Sequence, residues 1–421
     1  MRSITLFRNF AAVLIAICSA FPVFAQKPQT PKQEKLLNGM KVLIWNDPSA
    51  KTVSVKVRIH SGSAFDPQGK EGLMAMLAEN FFPNDGTKEF FKDDLGGSLS
   101  VTANYDFIQI NASSKTEEFL TMLEAVATAV SNPPIDKETA IKLRDKRLEK
   151  LKELEKDPAY VADAAVAKRL FGTFPYGRPE LGTADSVSKI TFADLLEAKQ
   201  RFLGADNATV SISGNIDSAL AFRATRRYFG SWLKSDKIAP STFRQPDDPD
   251  TKMATIVAEG DGAPLVRFAF RGLARNDKDY AASAVLTSIL EDRLKQNVAA
   301  NKENATVRHC AHILPGIVVF SFPIQAGSEV PGNLPTLLLS KAITNDEFSS
   351  AKARIISANN GIAVDEFWLN ADTFKLTSAA DDLKSRDAVT LSDVQRVAER
   401  LVKNPVVAIT LTVPEKTAVS N

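Results

Sequence analysis

The sequence predicts an α+β protein of two homologous domains, each a mostly antiparallel sheet with helices packed on one face. The first observation is that one order of elements occurs twice. A strand, a loop and a buried helix occupy 53–82 and return over 265–294, and a helix followed by a strand occupies 190–213 and returns over 389–413. The second observation is a polar, proline-containing stretch at 235–250, which is typical of a linker between the two copies.

The N-terminus has the features of a secretory signal peptide. Arg2 and Arg8 form a basic start, an apolar run follows over 10–22, and Ala25 is a small residue before a polar segment. The run is short for a bilayer span, so we expect cleavage after Ala25 rather than anchoring. The mature protein is therefore predicted to be exported, to the periplasm or out of the cell, without an integral membrane span.

The mature chain divides into a polar tether at 26–35, a first domain at 36–234 and a second domain at 251–421. Order is expected to begin near Leu36. Removal of the signal peptide leaves 50 basic and 50 acidic residues, so no net charge favours nucleic acid. Only Cys310 remains after cleavage, which excludes an intramolecular disulfide. Packing must therefore stabilise the fold.

Periodicity predicts the elements of the first domain in order. Alternation of Val53, Val55, Val57 and Ile59 with polar residues indicates a half-buried strand, preceded by a strand over 41–45. Helices are predicted at the segments 72–82, 120–130, 138–157 and from 191 onward, and the domain's last strand at 208–213. The second domain is predicted to repeat this series, with a strand at 265–272, a helix at 281–294 and a last strand at 406–413.

Several spaced residues carry a resemblance to a known family. The segment F-P-Y-G-R-P-E-L-G-T at 174–183, then I-T at 190–191 and S-G-N-I-D at 213–217, resembles the series H-P-Y-G-x-P-x-x-G-T, I-T and G-D-x-D of the pitrilysin/insulinase metallopeptidases, which include the mitochondrial processing peptidases. The similarity covers nearly all of 36–414. It implies the duplicated metallopeptidase-like fold.

The segment G-L-M-A-M-L-A-E-N at 72–80 resembles the family's zinc helix, which reads roughly G-L-A-H-F-L-E-H. Two histidines of that motif bind zinc and its glutamate activates water, and these three positions fall here on Ala75, Ala78 and Glu79. A methyl group cannot ligate zinc, and Ala78 cannot take a proton from water. The sequence therefore predicts no catalytic residue on this helix.

The resemblance also places the family's third zinc ligand, a glutamate on a downstream helix, near Glu149 or Lys150. Glu79 and Glu149 are then the only carboxylates expected near the ancestral site. Two carboxylates without imidazole or thiolate are poor ligands for tight zinc. We expect neither a bound metal nor another cofactor.

The segment G-G-S-L at 96–99 resembles the G-G-S-x-N-A that opens the family's substrate-pairing edge strand, with Ser100 and Val101 in place of Asn and Ala. The resemblance implies peptide binding by strand addition. An ordinary sheet edge after a glycine turn is the alternative. The candidate peptide-binding residues are Gly97, Ser98, Leu99 and Ser100.

Other chemistry is not indicated. The cluster His309-Cys310-Ala311-His312, together with His60, contains every histidine of the chain. On a strand Cys310 and His312 would share one face and His309 the other, so at most two ligands converge, whereas structural zinc needs four. The sequence also lacks a G-x-S-x-G elbow, a phosphate loop and a dinucleotide fingerprint.

Members of this family also work as pairs in which one subunit carries zinc and its partner lacks it. The leading prediction is therefore an exported, non-catalytic, structural or substrate-holding subunit that forms a heterodimer with a zinc-bearing peptidase, or else a homodimer. Two alternatives stay open. One is a zinc-dependent endopeptidase with a displaced metal site, and the other is a stand-alone scaffold or binding protein.

Overall fold

The computed structural model describes most of the chain after the N-terminal segment. The described residues are 30–235, 243–257, 264–298, 302–325 and 330–412. The predicted signal peptide, the start of the tether and part of the predicted linker lie outside the described residues. None of the described helices is both long and apolar enough to cross a bilayer.

The first half of the chain contains six strands and eight helices among the described residues. They are β1 Lys32–Lys35, β2 Lys41–Asn46, β3 Thr52–Ile59, α1 Leu73–Glu79, α2 Gly86–Asp93, β4 Ser98–Ala103, β5 Ile108–Lys115, α3 Phe119–Ser131, α4 Lys137–Leu154, α5 Pro158–Phe171, α6 Ala184–Ser188, α7 Phe192–Phe202, β6 Ala208–Gly214 and α8 Ser218–Phe229.

The second half contributes a further five strands and six helices within the described ranges. They are β7 Ala254–Val257, β8 Leu265–Arg271, α9 Tyr280–Asn297, β9 Thr306–Cys310, β10 Ile317–Pro323, α10 Leu334–Ser340, α11 Asn345–Asn359, α12 Val364–Phe374, α13 Ala379–Asp387, α14 Leu391–Leu401 and β11 Val407–Thr412.

The two sheets have the same topology. The first has the order β1-β2-β6-β3-β5-β4 and the second β7-β11-β8-β10-β9. In each, one pair is parallel, β2 with β6 and β7 with β11, and the other neighbours are antiparallel. Without β1, the strands of one sheet correspond one to one with those of the other. The predicted fold of two homologous α+β domains is confirmed.

The local signals repeat as well. Thr191 and Asp194 form a capping box at the start of α7, and Thr390 and Asp393 form the same box at the start of α14. Each helix then leads into an interior strand of its own sheet, β6 or β11. The same short sequence device therefore begins the same helix in both copies.

One segment that was predicted as a tether contains a strand. Residues 32–35 form the edge strand β1, antiparallel to β2, so the prediction of a tether over 26–35 is wrong for its last four residues. The sequence Lys-Gln-Glu-Lys shows no alternation because an edge strand needs only backbone hydrogen bonds to one neighbour. Its charged side chains are typical of an edge that resists further pairing.

Each sheet buries one face under helices of its own half. The first core joins residues of β3, β5 and β6 to α1, α3, α7 and α8, and the second joins β8 and β10 to α9 and α14. Burial follows the predicted alternation: Val53, Val55, Val57 and Ile59 are fully buried. These apolar faces are the main source of stability.

The opposite face of each sheet is covered by a helix from the other half. Helix α5 of the first half packs on β8 and β11 of the second sheet, and α12 of the second half packs on β6 of the first. The structure thus adds to the predicted architecture a reciprocal exchange of one helix. Since α5 and α12 occupy corresponding places in the repeat, the exchange has the pseudo-twofold character of the duplication itself.

Candidate functional site: a degenerate metal site beside an edge strand

The helix that corresponds to the zinc helix begins at a strained turn. Gly72 has φ of +95°, and a Cβ there would approach the Leu181 carbonyl oxygen to 2.6 Å, so only glycine fits. The Asp66 carboxylate accepts hydrogen bonds from the Gly72 and Met74 amides, both at 2.8 Å. Burial raises the pKa of Asp66 to about 7 although these two bonds oppose the shift. The backbone of the site is therefore firmly held.

The three motif positions lie together at the end of α1. Ala75 and Ala78 are buried, with 4% and 3% of their surface exposed, and Glu79 is the last residue of the helix. An Oε1 atom of Glu79 lies 2.9 Å from Nη2 of Arg147, whose side chain is 1% exposed. Arg147 belongs to α4. A guanidinium thus faces the only carboxylate that the motif retains.

Neither position predicted for the third ligand, Glu149 or Lys150, is buried against α1. Glu149 is 79% exposed and has only Lys152, at 3.7 Å, as an ionic neighbour, and Lys150 is also exposed. The buried residues of α4 are Ala140, Leu143, Arg147 and Leu151. Sequence analysis missed Arg147, although the helical spacing of the three apolar residues around it was a signal that this charge points inward.

The residues present do not fit a zinc ion. Zinc in proteins takes nitrogen, sulfur and carboxylate donors, usually with at least three from the protein. Here two of the motif positions have no donor atom, and the third is already paired with a fixed positive charge. Across the described part of the chain, no group of three or more His, Cys, Asp or Glu side chains is arranged to hold a metal ion.

The predicted peptide-binding segment does form an edge strand. Strand β4 pairs with β5 and lies at the end of the first sheet, beside α1 and α2. Gly97 allows its start, since a Cβ there would overlap the Ser113 carbonyl oxygen at 1.8 Å. Ser98 and Ser100 are exposed, whereas the Leu99 side chain is 8% exposed and belongs to the core. Ser98 and Ser100 could therefore contact a peptide with their side chains, whereas Leu99 could do so only with its backbone.

Hydroxyl and amide groups continue from this edge across the sheet. Ser98 Oγ lies 2.9 Å from Ser113 Oγ, and the Asn111 amide donates to Ser100 Oγ at 3.3 Å. Gln109 in turn donates to Asn111 at 2.7 Å and to Glu366 of α12 at 3.0 Å. The face of the sheet opposite α1 is thus polar and hydrogen-bonded up to the exchanged helix.

The side chains of the His/Cys cluster lie apart, although β9 ends at Cys310 and His312 is therefore not on the strand as the prediction assumed. His309 points toward α9, where Nδ1 lies 3.0 Å from Ser283 Oγ, and burial lowers its pKa to about 4. His312 lies past the end of β9, with Nδ1 2.7 Å from Asp106 of the first half and its ring centre 4.5 Å from that of Tyr176. Burial raises the pKa of the Cys310 thiol. These side chains join elements of the fold and do not converge on a ligand.

The fold and the site together define a metallopeptidase scaffold whose zinc ligands are absent. The sequence also matches two family models. The one described as "Insulinase (Peptidase family M16)" matches residues 41–184, and the one described as "Peptidase M16 inactive domain" matches residues 189–333. The chain belongs to the M16 family, which is the pitrilysin/insulinase family.

Individual proteins that are similar to this chain are also peptidases of this kind by name. An uncharacterized zinc protease of Bacillus subtilis is 23% identical over 63% of this chain and 66% of its own length. A probable mitochondrial-processing peptidase subunit beta of Arabidopsis thaliana is 24% identical over 61% of this chain and 49% of its own length. The match thus spans about half to two thirds of these relatives. A Helicobacter pylori protease structure, 19% identical, has a TM-score of 0.80 and covers 91% of this chain and 100% of its own.

Proposed function

We propose that this protein is an exported, non-catalytic member of the M16 family that holds substrate or provides structure beside a zinc-bearing peptidase of the same family. The observation that carries the proposal is the replacement of ligand and base by Ala75 and Ala78, with Glu79 paired to Arg147. The scaffold around these positions is nevertheless complete. Retained architecture without ligands suits a subunit whose task is binding.

Two features support a substrate-holding role. Among the described strands, β4 has a neighbour on one side only, so its other side offers backbone groups to which an extended peptide can add as a further strand. The neighbouring Ser98, Ser100 and Asn111 supply hydroxyl and amide groups that tolerate varied peptide side chains. The captured peptide would be presented to the partner's zinc. Such capture requires no chemistry from this chain.

Two features support export and pairing. The signal-like N-terminus supports export. One relative is named as the beta subunit of a mitochondrial-processing peptidase, a name that describes a subunit of a larger enzyme. The partner proposed here is a zinc-bearing relative from the same organism, in a pseudo-symmetric heterodimer; a homodimer is the other assembly that the family suggests.

The experiment mixes mature chain, residues 26–421, with that zinc-bearing relative and measures association by light scattering and cleavage of a peptide library. We expect a one-to-one complex and a cleavage rate that differs from that of the relative alone. Failure to associate would favour the stand-alone scaffold. Cleavage by the isolated chain would favour the displaced-site peptidase.

A charge on the edge strand tests substrate holding separately. Ser100→Lys places a lysine on the exposed face of β4, where it opposes addition of another strand. Ser188→Lys is the matched control, because Ser188 is an exposed residue of α6. We expect Ser100→Lys to weaken peptide capture and to leave complex formation intact, and Ser188→Lys to change neither.

A further inference from the structure

The contact between α1 and α4 includes an ion pair, Glu79 with Arg147. Four buried atoms there have no hydrogen-bond partner among the described residues: Glu79 Oε2, Asn80 Oδ1, and Nε and Nη1 of Arg147. The neighbouring inward residues of α4, Leu143 and Leu151, are apolar and buried. Unsatisfied buried polar groups are rare in folded proteins, and each needs a reason. A site that has lost most of its ligands supplies one.

We propose that Arg147 is a built-in cation that takes the place of a metal ion at this site and excludes divalent metals from it. Its guanidinium neutralises Glu79 through the 2.9 Å contact. An arginine is always charged, and this one is nearly inaccessible to solvent, so its charge cannot be removed by pH or readily swung away. A divalent cation that approached Glu79 would be repelled by it.

The geometry of α4 adds a second consequence. Position 147 points at the end of α1, whereas position 150 points to solvent. A carboxylate at position 147 would therefore face position 79 of α1, whereas a carboxylate at position 150 would face solvent. The residue that blocks the metal also marks the place from which a third ligand has to come.

The experiment restores ligands stepwise and measures zinc. The variant A75H/E79H puts two imidazoles four residues apart on one helix face, a spacing that suits zinc, and keeps Arg147. A75H/E79H/R147E then supplies a carboxylate in place of the guanidinium. A75H/E79H/K150E makes the same change of charge on the solvent-facing side of α4 and is the matched control.

Zinc content after dialysis and the shift of Tm on adding zinc are the readouts, with circular dichroism to check folding. We expect about one zinc per chain and a raised Tm for the R147E variant. The wild type, A75H/E79H and the K150E variant should retain little zinc. Tight binding by A75H/E79H, equal binding by the R147E and K150E variants, or no binding by a folded R147E variant would each overturn the proposal.

A second measurement serves if the R147E variant does not fold. Thermal unfolding of E79Q, R147Q and the double variant E79Q/R147Q tests whether the two side chains act as a pair. We expect R147Q to lower Tm, and the double variant to lose less than the two single losses together, because the uncompensated charge is then gone. Additive losses would contradict a compensating cation.

The inference rests on the non-catalytic interpretation of α1 but not on the proposed partner. Zinc exclusion is measured on the isolated chain, and association is measured with the native residues in place. If the native chain binds its partner but the A75H/E79H variant takes up zinc, the proposed function stands and the inference about Arg147 fails. If A75H/E79H excludes zinc but the native chain binds no relative, the inference about Arg147 stands and the proposed function fails.

Discussion

The two exchanged helices cover their sheets with different proportions of apolar and ionic contact. Helix α5 buries an apolar face on the second sheet, where Val166 and Leu170 form one cluster with Ala269, Val319, Val407 and Ile409. Its ionic contact with this sheet is carried by Asp163, which pairs with Arg267 and Arg308. Helix α12 meets the first sheet mainly through charged and polar groups. The duplication therefore preserved topology while the two inner sheet faces diverged.

The α12 contact is a connected network. Lys56 lies 2.8 Å from both Asp365 and Glu366, and Arg58 contacts Glu366 at 2.5 Å and Asn370 at 2.7 Å. Further along α12, Asp372 and Thr373 bond side chains of Lys41, Thr209 and His60. Arg58 is 1% exposed, so much of this network is shielded from water.

The difference between the α5 and α12 contacts indicates which part of the molecule is sensitive to pH and salt. Apolar burial depends little on pH or salt, whereas an ionic contact depends on the protonation of its members and is screened when exposed. The α5 contact should hold the halves together under all mild conditions. The α12 contact, which continues into the polar face beside β4, should be the sensitive one.

The largest loss is expected on the apolar side. Leu170→Ala removes a fully buried side chain and leaves a cavity, which should lower the free energy of unfolding by about 2–5 kcal/mol. Leu120→Ala is the control, since Leu120 is 43% exposed, and should have an effect near zero. Urea denaturation of both variants at low and high salt measures this, and a strong salt dependence of the Leu170→Ala loss would contradict the comparison.

The next largest loss is expected at Arg58. Arg58→Met keeps an apolar side chain but removes the guanidinium, which lies over the Phe107 ring and bonds Glu366 and Asn370. Breaking a buried ion pair from one side costs about 3–5 kcal/mol. Because Glu366 is 24% exposed, we expect about 2–4 kcal/mol here, measured by the same denaturation.

Arg354→Met is the matched control because Arg354 is 48% exposed where it pairs with Asp292. Exposed pairs contribute about 0–1 kcal/mol. Equal losses for the two arginines would mean that the α12 network is no more than a surface arrangement.

A pH effect of intermediate size is expected at His60. Its ring nitrogens lie 3.0 Å from the hydroxyls of Thr209 and Thr373, and burial, assisted by nearby cations of which Lys375 acts most strongly, lowers its pKa to about 3. The unfolded chain takes up a proton near pH 6.5 and the folded chain does not, so stability is lost as pH falls from 6.5 toward 3.

Allowing for partial exposure of the ring, the loss should be about 1–2 kcal/mol between pH 7 and pH 5. His60→Gln cannot titrate, so its unfolding free energy should change less with pH over this range. Stability curves at several pH values decide the matter, and parallel curves for variant and wild type would exclude His60 as the sensitive group.

The smallest effect is expected at the outer end of the network. Lys41 contacts Asp372 at 2.9 Å, but both side chains are partly exposed, at 32% and 23%. Lys41→Met should therefore cost less than about 1 kcal/mol, and the loss should shrink further at high salt. A loss as large as that of Arg58→Met would show that the network gains its strength at the rim instead of the centre.

The fold could be predicted from the sequence because the patterns that indicate its helices and strands are local. Alternation marked β3, apolar residues at helical spacing marked α3, and repetition revealed two copies. The exchange of α5 and α12 could not be predicted, since which sheet a helix covers depends on the three-dimensional path of the chain. The partner of Glu79 was missed because the resemblance pointed to Glu149 or Lys150, whereas the inward-facing residue of α4 is Arg147.

The proposed function requires that this chain keep the M16 scaffold without its zinc chemistry. The most direct test is the zinc content and peptidase activity of the isolated mature chain, measured beside a zinc-bearing relative as positive control. We expect no stoichiometric zinc in this chain, and no chelator-sensitive cleavage by this chain alone. One zinc per chain together with cleavage that a chelator abolishes would contradict it and place the active site elsewhere in the molecule.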